Sequence, residues 1–365
     1  TFSDTTGTSA EVGTNGVRLP INFGTPGFGY IVAGTSGSDT MTLANGTDLS
    51  NSYSGLSNVA GATVSTTNVL GSIIFGKGGN DTITGSESGD IIFGGVGNDT
   101  IDGAGSTEAT NGDLIFAGAG TDVINVTVAG GSSAFIGGGG TDALSYAGLN
   151  AGAITFAIDA TAIVSRRTFS STTVNDSIAG IENLTGTSGA GNANTFNFSG
   201  DSSGLGLLNV TGGDQADAFV IGTGATVTAA FDGGAGTDSL TFSGSGAYTV
   251  TLANIETITG SSGAEVLTMG SALTSATSID LGAGTDTLTL LAGSNTLNAS
   301  NVESIFGTAS ADTLTLATVQ SGISVNLGAG TDVLNLANGT NSLTVNNVGT
   351  INGGTGADTI TSGST

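Results

Sequence analysis

The sequence predicts an all-β protein built as a solenoid, a stack of short repeated coils. First, a nine-residue phrase with glycine, aspartate and apolar residues in fixed positions recurs along the chain, and such self-similarity is typical of repeat architectures. Second, apolar residues alternate as they do in strands, without a helical period. Third, 65 of the 365 residues are glycine and only two are proline, which favours glycine-rich turns over a collagen-like repeat.

The repeat is most regular in the segments GKGGNDTIT, GSESGDIIF and GGVGNDTID. A short strand that turns one apolar side chain inward, followed by a glycine-rich turn that needs positive φ angles, explains this spacing. Three aspartates therefore stand nine residues apart, each followed two positions later by an isoleucine: Asp81 and Ile83, Asp90 and Ile92, Asp99 and Ile101.

Later copies of the phrase, such as GGAGTDSLT and LGAGTDVLN, keep the same order of glycine, acid and apolar residues. The aspartates in the repeat position are Asp113, Asp122, Asp142, Asp217, Asp238, Asp286, Asp332 and Asp358, with a weaker copy at Asp39.

The phrase GGVGNDTID at residues 94–102 resembles the G-G-x-G-x-D-x-U-x repeat of RTX proteins, in which U is a large apolar residue. The resemblance implies a parallel β-roll or β-helix solenoid whose glycine-rich turns bind calcium. It also implies that two nonapeptides make one coil, so that Asp81 and Asp99 lie on the same edge of neighbouring coils. It adds four turn glycines to the predicted calcium-site residues: Gly76, Gly79, Gly94 and Gly97.

Calcium is the cofactor that this arrangement favours. Neighbouring coils lie about 4.8 Å apart, and two carboxylates at that separation repel by roughly 3 kcal/mol at an effective dielectric constant of ~20. A hard divalent cation reverses the sign of this interaction. Calcium accepts about six to eight oxygen ligands in flexible geometry, which suits carboxylates and turn carbonyls better than the strict octahedron of magnesium. Ordinary Asp-Gly turns of a cation-free β-protein are the alternative interpretation.

The chain divides into four predicted regions. Residues 1–70 are the least regular and are predicted to be an N-terminal cap or interaction segment, since a solenoid needs a terminus that covers its edge strands. Residues 71–145 are predicted to form the RTX nonapeptide β-roll. Residues 146–230 are predicted to be an irregular β-solenoid with longer coils, and residues 231–365 a C-terminal β-solenoid with units of about 47 residues.

A further resemblance to RTX and haemolysin-type proteins begins at residue 138. There GGGTDALSYAG leads to IENLTG, an opening and a closing that such proteins often combine around a β-rich stretch. In this chain the stretch contains Arg166 and Arg167. We therefore expect a loop that protrudes from the stack and carries two solvated arginines.

The C-terminal region repeats with steps of 47 and 46 residues. Acids that would face each other in adjacent coils are sparser here, so we expect wider or irregular coils and asparagine and threonine ladders that close some turns without calcium. Asp312 joins the predicted calcium ligands. Two sets of equivalent positions define the repeat: Glu256, Glu303 and Gly349, and nine residues after each of them Glu265, Asp312 and Asp358.

Charge and missing residue types exclude several functions. The net charge is -25 with only four lysines and arginines, which argues against nucleic acid and anionic membranes as partners. The chain has no histidine, which excludes a Ser-His-Asp triad and a histidine-bound zinc site, and no cysteine, which excludes disulfides and thiol chemistry. No apolar stretch approaches the ~18 residues of a membrane span. We therefore predict that the chain is not an enzyme.

The predicted function is that of a secreted calcium-binding structural protein that assembles into a bacterial surface layer, sheath or extracellular filament. RTX proteins of bacterial surface layers are similar in their glycine, threonine, alanine and acid content, and RTX relatives generally leave the cell by type I secretion. The expected partners are further copies of the chain, with cell-surface polysaccharide as a second candidate. The alternatives are the repeat region of a large RTX adhesin and the non-catalytic secretion module of an RTX exoprotein.

Overall fold

The fold is all-β in the part of the chain that the structure, a computed structural model, describes. That part contains no helix, so it has none that could cross a membrane. The described residues are 12–13, 16–22, 28–34, 36–45, 62–64, 73–104, 112–128, 130–149, 152–159, 162–169, 172–189, 191–199, 207, 209–222, 230–274 and 276–363.

The chain forms two compact units. Unit 1 comprises residues 1–157 and 162–192, and unit 2 comprises residues 158–161 and 193–365. Each unit contains strands of two sheets, which we call the first and the second sheet, and the chain alternates between them. Turns that lead from the first sheet to the second form the leading edge of a unit, and turns that lead back form its return edge.

Unit 1 stacks parallel strands in both sheets. Its first sheet contains Val12–Gly13 (β1), Gly16–Asn22 (β2), Phe28–Ala33 (β3), Ile73–Gly78 (β6), Ile91–Val96 (β8), Leu114–Gly120 (β10), Ala134–Gly140 (β12), Ala162–Phe169 (β15) and Thr172–Ala179 (β16), and Thr155–Asp159 (β14) carries residues of both units. Its second sheet contains Thr40–Asn45 (β4), Ala62–Val64 (β5), Thr82–Thr84 (β7), Thr100–Asp102 (β9), Val123–Asn125 (β11), Ala143–Ser145 (β13) and Asn183–Thr185 (β17).

Unit 2 repeats this arrangement. Its first sheet contains Thr195–Phe198 (β18), Ala218–Ile221 (β20), Ser239–Phe242 (β22), Thr257–Ser261 (β24), Ser278–Gly282 (β26), Thr296–Ser300 (β28), Thr313–Leu316 (β30), Val333–Asn335 (β32) and Thr350–Asn352 (β34). Its second sheet contains Asn209–Gly213 (β19), Ala230–Gly234 (β21), Tyr248–Ala253 (β23), Glu265–Met269 (β25), Thr287–Thr289 (β27), Ser304–Thr308 (β29), Ser321–Gly328 (β31), Ser342–Asn346 (β33) and Thr359–Ser362 (β35).

The strand register confirms that two nonapeptides make one coil. Strand β6 pairs with β8 so that Ile74 lies beside Ile92, and β7 pairs with β9 so that Ile83 lies beside Ile101. Each of these four isoleucines is at most 1% exposed. Side chains alternate between the two faces of a strand, so these isoleucines point into the core. Each of them stabilises the fold there by about 1.5–3 kcal/mol.

One coil of unit 1 is longer than its neighbours, as the sequence predicted for this part of the chain. Strands β15 and β16 form an antiparallel hairpin in which Arg166 lies opposite Asn175. The second strand of this hairpin, β16, also belongs to the stack, where Ser177 pairs with Ala134. The expected protruding loop is thus a pair of strands, and the Arg166 side chain is exposed.

At the start of unit 1, β2 pairs antiparallel with both β1 and β3, and β3 pairs parallel with β6. The turn after β3 carries Asp39, which enters the stack as the weak copy predicted. Most of the remaining residues of the predicted cap, Phe23 among them, lie outside the described residues.

The coils of unit 2, which were expected to be wider or irregular, vary in length but are not wider than those of unit 1. Equivalent residues of neighbouring coils are 17 to 23 residues apart in unit 2, and the regular coils of unit 1 take 18 to 23. The 47-residue step has another origin. Glu256 precedes β24 of the first sheet and Glu303 precedes β29 of the second sheet, so one step covers two and a half coils.

Candidate metal centre

The aspartates of the leading edge of unit 1 form one hydrogen-bonded ladder. In each coil the backbone N–H of the aspartate donates to Oδ1 of the aspartate in the next coil, and the last one donates to Glu182. The distances are 2.7 Å from Asp39 to Asp81, 2.8 Å from Asp81 to Asp99, 2.8 Å from Asp99 to Asp122, 2.9 Å from Asp122 to Asp142 and 2.8 Å from Asp142 to Oε2 of Glu182.

The second carboxylate oxygen of these aspartates has no donor. Oδ2 of Asp81, Asp99, Asp122 and Asp142 is buried and accepts no hydrogen bond, and the four residues are at most 1% exposed. An ionised carboxylate that is buried without compensation is strongly destabilising. Four such oxygens in consecutive coils are therefore the feature of this edge that requires a counter-charge.

The four glycines predicted with these aspartates have two distinct roles. A Cβ built on Gly76 would lie 2.5 Å from Oδ2 of Asp81, and one built on Gly94 would lie 2.6 Å from Oδ2 of Asp99. These glycines provide the space for the carboxylates. Gly79 and Gly97 instead adopt φ angles of 102° and 138°, a region that favours glycine because it has no Cβ.

The return edge of unit 1 is built differently. Oδ2 of Asp90 accepts the backbone N–H of Ser86 at 2.6 Å, and the Ser86 hydroxyl lies 3.2 and 3.1 Å from its two carboxylate oxygens. The Asp90 N–H donates to Oδ1 of Asp113 at 2.9 Å, and the Asp113 N–H donates to the Ser133 hydroxyl oxygen at 3.0 Å. Asp90 and Asp113 are thus in register, as predicted, but a serine takes the next position.

Asp176 continues this return-edge ladder, and the sequence analysis missed it. Its Oδ1 accepts the Ser133 N–H at 2.9 Å. Its Oδ2 accepts the hydroxyls of Tyr146 and Ser165, both at 2.8 Å. All three side chains of this network are at most 1% exposed. The only signal in the sequence was Ile178 two positions after Asp176, because the hairpin replaces the glycine-rich turn.

Unit 2 contains shorter ladders. Asp217 donates its N–H to Asp238 at 2.7 Å, Glu265 donates to Asp286 at 2.8 Å, and Asp312 donates to Asp332 at 2.8 Å. A buried carboxylate oxygen without a hydrogen bond remains on Asp217, Asp238, Glu265, Asp286 and Asp332. Oδ2 of Asp312 instead accepts the Thr308 N–H at 3.3 Å.

Asparagines close other turns of unit 2, which confirms that part of the sequence expectation. Asn295 and Asn341 occupy the ladder position, and their side-chain amides donate back to Leu291 and Ala337 at 3.0 and 2.8 Å. The last predicted ligand, Asp358, accepts the Asn341 N–H at 3.0 Å. An asparagine supplies its own donor, so these turns need less counter-charge.

Burial raises the pKa of the ladder aspartates. It raises the pKa of Asp81 to about 6 against the hydrogen bond from Asp39, with a smaller contribution from the charge of Asp99. Burial likewise raises the pKa of Asp122 to about 6 and that of Asp113 to about 8. The pKa of Asp99 is also raised, again mainly by burial. Without a cation, these carboxyls therefore take up protons at a higher pH in the folded chain than in the unfolded chain.

The donor set fits a hard divalent cation. Among the described residues no three acidic side chains converge closely enough to hold a metal ion by themselves. The remaining ligands would have to be backbone carbonyls, and those of Gly94 and Ala117 lie against the glycines of the preceding coil, Gly76 and Gly94. Carboxylate and carbonyl oxygens together are the ligands that calcium prefers.

These features define a parallel β-solenoid whose glycine-rich turns carry stacked aspartates. Residues 73–105, 278–297 and 349–364 match the family model of the RTX calcium-binding nonapeptide repeat, in four copies. The chain thus contains RTX calcium-binding repeats within a parallel β-solenoid, a combination that fits an RTX-repeat β-roll protein. No curated protein matches it in sequence. RTX repeats are typical of secreted proteins, and their β-solenoids are typically structural and non-catalytic.

Proposed function

We propose that the chain is a secreted structural protein whose turns bind calcium and whose coils then assemble, copy on copy, into a bacterial surface layer, sheath or extracellular filament. In this proposal the calcium ligands are the aspartates with a buried oxygen that lacks a donor, together with carbonyl oxygens of the glycine-rich turns. Calcium supplies the counter-charge that lets these carboxylates be buried while ionised.

The observation that carries the assembly is the outer face of the first sheet in unit 1. Ile91 is 36% exposed there. The rings of Phe75, Phe93 and Phe116 stack along the face, with centroids 5.0 and 5.1 Å apart. Strands that read as continuous apolar runs are typical of sheets that are covered on both faces. A contiguous apolar face of this kind marks an association surface.

Further copies of the chain fit this face better than cell-surface polysaccharide. The stacked phenylalanine rings are inclined by only 5° and 3°, so their faces lie against each other along the column. Sugars stack on the open face of an aromatic ring, and these faces are already used. A flat apolar sheet from another copy would contact only the edges of these rings, which remain available.

Electron microscopy of the purified chain in calcium and after chelation tests the proposal. We expect ordered sheets or filaments in calcium and their loss after chelation. Phe93→Thr should prevent assembly without affecting calcium-induced folding. Phe306→Thr is the matched control, since Phe306 is 44% exposed on the second sheet of unit 2. Isolated rods of the unaltered chain in calcium would contradict assembly and favour an adhesin repeat or a secretion module.

A further inference from the structure

The two edges of unit 1 differ in how their carboxylates are compensated. On the leading edge, Asp81, Asp99 and Asp122 each keep a buried Oδ2 without a hydrogen bond, and so does Asp142. They are separated by single coils of 18, 23 and 20 residues. The oxygens that need a counter-charge therefore recur in four consecutive coils of this edge.

Hydroxyl groups supply the donors on the return edge. Ser86 donates its N–H to Oδ2 of Asp90 at 2.6 Å, and its hydroxyl lies within 3.2 Å of both carboxylate oxygens. Tyr146 and Ser165 donate to Oδ2 of Asp176. A cation at these turns would have to displace hydrogen bonds to a charged acceptor, which are stronger than those to a neutral acceptor.

We propose that unit 1 binds calcium in a single row along its leading edge, at turns 76–81, 94–99, 117–122 and 137–142, and that its return edge, at Asp90 and Asp176, is a seam closed by hydroxyls without calcium. This deepens the calcium-binding part of the proposed function and is independent of assembly. It separates Asp90 from the other aspartates that the sequence placed in one set. The segment GSESGD belongs to a matched RTX repeat but does not hold a cation.

Two matched substitutions test the row. Asp99→Asn and Asp90→Asn each remove one carboxylate charge and keep an oxygen that can accept the ladder N–H. Calcium bound per chain is measured by equilibrium dialysis, and the melting temperature is measured in calcium and in chelator. We expect Asp99→Asn to lose bound calcium and most of the calcium-induced rise in melting temperature. Asp90→Asn should bind as much calcium as the unaltered chain, and an equal loss in both variants would overturn the proposal.

Crystals of the unaltered chain grown with terbium in place of calcium keep the test independent of whether the variants fold. Anomalous peaks along the leading edge of unit 1, with none at turn 85–90, are the expected result. A peak beside Asp90 would overturn the single row and leave calcium binding intact. Absence of peaks at both edges would contradict calcium binding itself, and the row with it.

Discussion

The same glycine and aspartate turn is distributed differently in the two units. In unit 1 the turns whose aspartate keeps a buried oxygen without a hydrogen bond recur after one whole coil, so Asp81, Asp99, Asp122 and Asp142 all lie on the leading edge. In unit 2 the equivalent turn recurs after two and a half coils. Asp238 precedes β22 of the first sheet, Asp286 precedes β27 of the second and Asp332 precedes β32 of the first, so successive copies alternate between edges.

A short turn with glutamate ends two of the three pairs of acidic turns in unit 2. The Asp238 N–H donates to Oε2 of Glu256, and the Asp286 N–H donates to Oε2 of Glu303, both at 2.8 Å. The turns begin with Asn254, Asn301 and, in a copy that has glycine in place of glutamate, Asn347, and these asparagines have φ angles of 52°, 51° and 51°. The ratio of repeat length to coil length, and not the motif itself, therefore decides whether acidic turns form a row or isolated pairs.

Removal of calcium should have the largest effect on stability, and it should destabilise unit 1 more than unit 2. At neutral pH a chelator leaves four adjacent uncompensated carboxylates in unit 1, where neighbours about 4.8 Å apart repel by roughly 3 kcal/mol per pair. Unit 2 contains only pairs, interrupted by asparagine turns. We expect hydrogen exchange to show loss of protection in β7, β9 and β11 at lower chelator concentration than in β31 and β33.

Magnesium is the control for this experiment. Its strict octahedral geometry suits a site of carbonyls and single carboxylates poorly, so magnesium should not restore protection in unit 1. Equal loss of protection in both units at one chelator concentration would show that the row has no special role.

Gly94→Ala should be the next largest effect, because it tests the space that the row needs. The added Cβ would meet Oδ2 of Asp99 at 2.6 Å and the Ala117 carbonyl oxygen. We expect a destabilisation of about 1–3 kcal/mol, as for other overpacked sites, measured by urea unfolding in calcium. Gly139→Ala is the control, since a Cβ there would have no atom within 4 Å. If both variants were equally stable, the glycine would not be needed to accommodate the carboxylate.

The pH dependence of stability should reverse sign with calcium. Burial raises the pKa of Asp81 and Asp122 from 3.8 to about 6, so the calcium-free fold binds more protons than the unfolded chain between about pH 4 and 6. Its stability is then greatest in acid and falls as the pH rises through 6. In calcium, protons compete with the cation and stability should fall on acidification. Melting temperatures at pH 5 and 7.5, in chelator and in calcium, give this crossover, and parallel pH profiles would contradict it.

Much of this fold follows from counting residues. Asp81 and Asp99 are neighbours because the nonapeptide fits twice into one coil, and their isoleucines enter the core for the same reason. The edge on which each turn of unit 2 lies could not be predicted by counting, since it depends on coils whose lengths vary from 17 to 23 residues. If the repeat is shifted by one strand along the chain, its turn lies on the opposite edge of the unit.

The chemistry of the return edge was hidden for a different reason. GSESGD has the spacing of a calcium turn, and nothing in its sequence shows that the Ser86 hydroxyl faces the carboxylate of Asp90. Asp176 has no glycine-rich turn before it and is 43 residues from Ser133, the ladder residue that it contacts. A hydrogen bond across a hairpin of this length depends on tertiary packing.

The sharpest test of the hydroxyl seam is Tyr146→Phe. It removes one of the two hydroxyl donors at Oδ2 of Asp176. Hydrogen bonds to a charged acceptor contribute about 1.5–3 kcal/mol, against about 0.5–1.5 kcal/mol for a neutral one. Tyr248→Phe is the matched control, because the Tyr248 hydroxyl donates to the neutral carbonyl of Ser243 at 2.9 Å. Urea unfolding should show the larger loss for Tyr146→Phe, equal in calcium and in chelator, whereas a loss seen only in calcium would mean that the seam depends on the cation after all.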